Sequence, residues 1–220
     1  NGSGGVATMQ YSGGPQVGAW NHIAISNDGS RTSLFLNGVR VQTATSGFET
    51  FHPEYGTITE FEIGRIGQSG YDTTKKYITG VRFHNTEYYD ASASTITVPT
   101  APPTSTDNTF ALLNFDNAGI IDHTMKNNLE SRGNTRITGQ QTKFGTGSMY
   151  FDGTGDDLRN QDVNNPLLLM GTSDWTLECF AYSTGNQGAD GFGATLLYIG
   201  GAGSNNAIWL TQNSSDKLCG

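Results

Sequence analysis

At 220 residues, with 30 glycines, 6 prolines, 15% charged and 35% hydrophobic residues, the chain is long enough for one large β domain or two small ones. Its 11 Phe, 9 Tyr and 3 Trp argue against disorder. Twenty acidic against 12 basic residues give a net charge of −8, the wrong sign for a polyanionic nucleic-acid backbone, and no apolar run approaches the roughly 18–20 residues that cross a bilayer. Nucleic-acid binding and membrane insertion are therefore not expected.

The chain opens at Asn1, within Asn1-Gly2-Ser3-Gly4-Gly5, which leads to the expectation of a piece of a longer polypeptide. Trp20-Asn-His-Ile-Ala-Ile-Ser26, Ser33-Leu-Phe-Leu36 and Val39-Arg-Val41 are extended runs separated by Asp28-Gly29 and Asn37-Gly38, dipeptides that favour positive φ, and so predict a three-stranded meander. Leu34 and Leu36 alternate with Phe35, which places the meander in a sheet covered on at least one side. Glu60-Phe-Glu-Ile63 and Tyr77-Ile-Thr-Gly-Val-Arg-Phe83 are further strands. Residues 99–108 hold three of the six prolines among threonines and read as a stiff, extended linker. Beyond it, strands are predicted at Phe110-Ala-Leu-Leu-Asn-Phe115, Ser148-Met-Tyr-Phe151, Trp175-Thr-Leu-Glu-Cys-Phe-Ala-Tyr182, Thr195-Leu-Leu-Tyr-Ile199 and Ala207-Ile-Trp-Leu210. Every periodic run favours two over 3.6. Six basic and eight acidic residues precede position 99, against six and twelve after it, so the acidity is concentrated beyond the linker.

Trp20-Asn-His-Ile-Ala, Leu34-Phe-Leu-Asn-Gly38, Ile63-Gly64 and Gly80-Val-Arg-Phe83 resemble the second half of a laminin-G-like domain of the concanavalin A-like lectin/glucanase superfamily. Leu112-Leu-Asn-Phe-Asp116, Ile121-Asp122, Lys143-Phe-Gly-Thr-Gly-Ser-Met-Tyr-Phe-Asp-Gly153, Asp174-Trp-Thr-Leu-Glu178 and Leu196-Leu-Tyr-Ile-Gly200 resemble its opening half. The resemblance implies an all-β, antiparallel two-sheet jelly-roll sandwich, with residues 1–98 a C-terminal half, 99–108 the linker and 109–220 an N-terminal half. Three arrangements follow: a segment cut from a tandem array, the favoured one; a circular permutant of one domain; or halves exchanged between chains. Tail and surface proteins of aquatic-bacterium phages carry such domains in tandem with Pro/Thr-rich linkers. The resemblance to these implies a virion-surface or extracellular location, with other copies or other virion proteins as partners and a host surface glycan as a candidate ligand.

Sugar-cleaving members of the superfamily line a cleft with carboxylates spaced two residues apart on one strand. Glu60 and Glu62 come nearest, about 6.6 Å apart on one strand face, but Gly64 occupies the third position. An exposed strand face flanked by inward Phe61 and Ile63 is the favoured reading. Glu178 stands alone on the Phe180/Tyr182 face of its strand. Asp116, Asp122, Asp152, Asp156 and Asp157 supply hard oxygens in tight loops, so calcium stays open as an alternative, although Asp before Gly is also ordinary turn chemistry. His22, His52, His84 and His123 fall on different elements and form no triad with Ser or Cys. His22 is expected to be packed and hydrogen-bonded. Cys179 is expected to be a buried free thiol, a bridge to Cys219 being the alternative. Gly200-Gly-Ala-Gly203 precedes a strand, not a helix, which argues against nucleotide binding. Asn1-Gly-Ser3 and Asn213-Ser-Ser215 fit the glycosylation sequon and carry little weight in so Asn- and Ser-rich a chain. Tyr88-Tyr89-Asp90, Phe192 and Trp209 are candidate sugar platforms, with 185–193 as a polar rim.

No catalytic, cofactor-binding or metal-binding residue is assigned. The expectation is a non-catalytic module of a virion surface or tail-associated structural protein, acting in assembly, adhesion or glycan recognition. The alternatives are a polysaccharide-degrading glycoside hydrolase using Glu60 and Glu62, or a bacterial cell-surface adhesin.

Overall fold

The computed structural model describes residues 9–45, 60–65, 74–116, 119–160, 174–185, 194–200, 208–212 and 217–219. β1 (Gln10–Tyr11) precedes the meander of β2 (Trp20–Asn27), β3 (Thr32–Leu36) and β4 (Val39–Ala44). Its second turn puts Asn37 at φ 50° and Gly38 at φ 86°, the left-handed pair that matches the strands' twist. β5 (Glu60–Ile63) and β6 (Lys76–His84) follow. After the proline stretch come β7 (Thr109–Leu113), β8 (Glu130–Arg132), β9 (Arg136–Thr138), β10 (Ser148–Phe151), β11 (Asp157–Asn160), β12 (Trp175–Ser183), β13 (Ala194–Gly200), β14 (Ile208–Gln212) and β15 (Leu218–Cys219).

These strands form an all-β, two-sheet antiparallel sandwich. One sheet has seven strands in the order β1-β15-β14-β13-β5-β11-β8. The other has eight, in the order β4-β3-β2-β12-β6-β10-β9, with β7 also on β6. β6 is long enough to serve both neighbours on that edge: β10 pairs with residues 76–78 and β7 with 81–84. Strands from the two sides of the proline stretch interleave in both sheets. β12 lies between β2 and β6, and β5 between β13 and β11. Ile23, Leu177 and Val81 from the larger sheet meet Ile63, Leu158 and Leu197 from the smaller one in a single core. Cys179 lies in that core, and no disulfide joins it to Cys219.

A β-bulge opposite Glu178 and Phe180 decides what the larger sheet presents to each side. Gly80, at φ 59°, takes the extra position in β6. Strict alternation from Ile78 would turn Gly80 and Arg82 inward. The bulge instead sends Val81 and Phe83 into the core and leaves Arg82 and His84 on the outer face.

The outer face of the larger sheet is covered in turn by residues 85–108. The Ser26 and Ser33 hydroxyls donate to the carbonyls of Tyr89 and Ala91, and Ile96 N–H donates to the Gly38 carbonyl. Ala24, Phe35 and Tyr89 form a second, smaller apolar cluster beneath this segment, joined by Ile96. The proline stretch, expected as a linker, is docked: Pro103 is buried, and its carbonyl accepts a hydrogen bond from the Asn114 amide at 3.1 Å.

Candidate functional site

Glu178 lies at the centre of the most elaborate polar cluster in the described residues. It stands directly opposite Arg82 across the β12–β6 pair and diagonal to His22 on β2, which pairs with Phe180 two positions along. Its carboxylate accepts from Arg82 Nε at 2.6 Å, with a second contact from the same guanidinium, from His22 Nε2 at 2.6 Å and from the Tyr89 hydroxyl at 2.7 Å. Glu178 is 0% exposed, and His22, Arg82 and Tyr89 are 1%, 4% and 8% exposed. Burial pushes the Glu178 carboxyl up, but the His22 hydrogen bond and the Arg82 charge outweigh it and hold the group below the usual carboxylate range. Burial and the adjacent carboxylate push the Tyr89 hydroxyl up, so it remains a protonated donor. Tyr88 covers the cluster from outside, its ring centroid 3.6 Å from the Arg82 guanidinium carbon. The strand face that the sequence leaves to Glu178 alone is therefore shared with a base, a guanidinium and a phenol. His22 is packed 4.9 Å from the Phe180 ring.

The Glu60/Glu62 strand is β5. The side chain of Glu60 lies outside the described residues. Glu62 is 0% exposed, where a solvent-facing carboxylate was expected, and pairs with Arg159 at 2.9 Å, directly opposite it on β11. Arg159 also bonds both oxygens of Asp157, at 3.2 and 2.7 Å, and Arg65 and Arg132 approach the same carboxylate at 3.9 and 3.8 Å. Phe61 and Ile63 point into the core. Gly64 is bare because a Cβ there would lie 2.3 Å from the Phe151 ring, so packing excludes a third carboxylate.

The loop aspartates hold backbone. Asp122 accepts from the N–H groups of Leu112, Thr124, Lys126 and Asn127 and from the side chains of Thr124 and Asn127, pinning residues 122–127 against β7. Burial raises its pKa, but these donors lower it more. Asp156 ties two corners together through Asn134 N–H and Asp152 N–H, both at 2.8 Å. Asp152 caps its own turn through Thr154 N–H. Among the described residues no three His, Cys, Asp or Glu side chains converge as a metal site.

Of the remaining histidines, His84 bonds Thr86 and Thr106 at 3.1 and 2.9 Å, fastening the end of β6 to the covering segment. Burial, with the Arg82 charge second, lowers its pKa to about 4. Tyr88 is 42% exposed, Tyr89 is committed to Glu178, and the Asp90 carboxylate accepts from the Ser92 hydroxyl and N–H. Trp209 sits opposite Tyr198 on the outer face of the smaller sheet, ring centroids 6.3 Å apart. Phe192, most of the 185–193 rim, His52, both sequons and the glycines at 201–203 lie outside the described residues. Arg82 and Tyr89 are the residues that sequence reasoning missed around Glu178. Arg82 could have been found from Gly80, a glycine inside a strand pattern that signals a bulge and a change of face.

No protein-family model, no curated protein and no solved structure matches the chain.

Proposed function

We propose that the chain is a non-catalytic β-sandwich module of a virion surface or tail-associated structural protein, carried in many copies and used in assembly, adhesion or glycan recognition. The observation that carries this reading is the state of Glu62 and Glu178, two of the strand carboxylates considered for sugar cleavage. Glu62 and Glu178 are both 0% exposed and both spent on an arginine directly opposite in the sheet. An acid/base pair must reach a glycosidic oxygen and a water, and these two hold strands together instead. The interleaving of strands from 1–98 and 109–220 supports a permuted single sandwich over halves that each require outside strands. The resemblance to tandem modules of phage tails supports multivalent use, in which weak contacts are strengthened by many copies at fixed spacing.

The test uses the biotinylated chain on tetrameric streptavidin, offered to a panel of neutral and acidic polysaccharides and to whole bacterial cells. Retention on a glycan or a cell surface without release of reducing ends is the expected result. Release of reducing ends by the wild type, lost in Glu62→Gln, overturns the reading in favour of a glycoside hydrolase. Detection of the protein in cell envelopes and its absence from purified particles turns the setting to a bacterial adhesin.

A further inference from the structure

Four strands end the paths of the two sheets, and they are protected differently. β1, β8 and β9 have two, three and three residues, and β8 and β9 carry Glu130, Arg132 and Arg136. Short edges, and charged ones, resist pairing with another chain. β4 is the exception. It runs for six residues, Val39-Arg-Val-Gln-Thr-Ala44, with three β-branched side chains, one charge and no proline, and Val39 is 53% exposed. A strand of that composition at the end of a sheet is a template for a further strand.

The covering segment meets this edge. Arg40 N–H donates outward to the Ser94 carbonyl at 2.9 Å, and Ile96 N–H donates to the Gly38 carbonyl at 2.8 Å, so that Val39 and Thr95 form an antiparallel bridge. The Arg40 guanidinium bonds the Ser92 and Ala91 carbonyls at 2.7 and 3.3 Å, which engages the one charge of β4 with the same segment. The approach is close: a Cβ on Gly38 would lie 2.9 Å from the Ile96 carbonyl oxygen. Ile96 also packs on the Ala24 and Phe35 cluster. β7, beside β6, is covered in a similar way, its Leu112 N–H taken by the Asp122 carboxylate and its Leu112 carbonyl by His123 N–H.

We infer that residues 94–96 guard the β4 edge, occupying the place that β4 of a second copy of this chain takes when they are withdrawn. Two copies of one edge present identical donors and acceptors, and antiparallel strands related by a two-fold axis satisfy both edges at once. Withdrawal of Ile96 also uncovers part of the cluster around Phe35, which is 0% exposed and lies on the strand next to the freed edge. The net charge of −8 opposes the encounter of two copies, so pairing strengthens as salt screens it. The guard is independent of any ligand and of the setting proposed above.

The test is sedimentation velocity of the full chain and of two variants confined to the guard. Ile96→Pro lacks the donor to Gly38, and Thr95→Gly/Ile96→Gly lacks the side-chain packing. Hydrogen exchange at Arg40 N–H in dilute solution reports whether the edge has been freed. The wild type is expected to stay monomeric over a hundredfold range of concentration, with that amide protected. Both variants should exchange it faster and self-associate about tenfold more tightly or better, the more so in high salt. Adding Arg40→Pro to either variant removes the outward N–H, leaves the β3 ladder intact and should restore the monomer. Variants that free the amide yet stay as monomeric as the wild type overturn the guard. So does association that Arg40→Pro leaves unchanged, or a wild type already paired through β4. An Arg40 amide that stays protected in both variants, or loss of the cooperative urea transition in both, shows that 94–96 are not a detachable cover and overturns it equally.

Discussion

Glu178 and Glu62 start from the same device and end differently. Each is a glutamate on a central strand, fully buried, facing an arginine directly across the ladder. Around Glu178 the partners converge: a histidine from β2, an arginine from β6 and a tyrosine from the covering segment all donate to one carboxylate. Around Glu62 the charges run outward, through Arg159 to Asp157 and on to Arg132, which is 47% exposed. A converged cluster fixes several elements to one point, so its loss is felt by all of them. An outward chain ends in solvent, where its last member is screened and replaceable.

The largest expected effect tests the converged side. Arg82→Met removes the guanidinium but leaves a carboxylate at zero exposure, which costs about 3–5 kcal/mol. A strong drop in the urea midpoint is the expected outcome. Tyr89→Phe removes one donor and keeps the ring, at a cost of about 1.5–3 kcal/mol. A double-mutant cycle between the two should show coupling, since both act on the same carboxylate. Full additivity would mean that Glu178 does not join them, and the contrast with Glu62 would collapse.

How much of this contrast is legible in the sequence depends on bulges and register. The meander, β5, β6, β10 and β12 can be read from two-residue alternation and turn dipeptides, β5 and β10 to the residue. β8, β9 and β11 have three or four residues each, too few for a period, and Asp157-Leu-Arg-Asn160 reads as the tail of a polar loop until Leu158 is seen in the core. Glu62 and Arg159 are ninety-seven positions apart, and no local pattern pairs them. Trp20, Tyr182, Tyr77 and Tyr150 are hidden for the same reason: each is ordinary in its own strand, and they line up across β2, β12, β6 and β10 only through three registers. The proline stretch reads as a linker, yet it is held by side chains from elsewhere in the chain, Asn114 on the Pro103 carbonyl and His84 on the Thr106 hydroxyl.

A middle-sized effect follows from His84, at the margin of the converged cluster. Its folded-state pKa of about 4 lies below the ordinary histidine value of about 6.5, so the unfolded chain takes up the proton first as pH falls. The stability that comes from holding His84 neutral is complete above about pH 6.5 and is lost on descending toward pH 4. Glu178 and Asp122, held below the usual carboxylate range, release their own contribution only at lower pH, as each titrates in the folded state. Urea midpoints at pH 7.5 and 5.0 should therefore differ in the wild type and differ less in His84→Asn. An equal pH response in the two proteins would remove His84 from the account.

The smallest effect belongs to the end of the outward chain. Arg132 approaches Asp157 at 3.8 Å, too far for a hydrogen bond, while Arg159 bonds the same carboxylate at 2.7 Å and 3.2 Å. Removing Arg132 leaves Asp157 paired, so Arg132→Ala should cost less than about 1 kcal/mol, and half a molar of salt should erase even that. Arg159→Met, by contrast, strips a bonded partner from Asp157 and Glu62 together and should cost several times more, with little dependence on salt because both carboxylates are buried. If Arg132→Ala proved as damaging as Arg159→Met, the chain of charges would be acting as one cooperative unit out to the surface. The two sheets would then be stabilised by the same kind of cluster, one closed by a covering segment and the other by its own arginines.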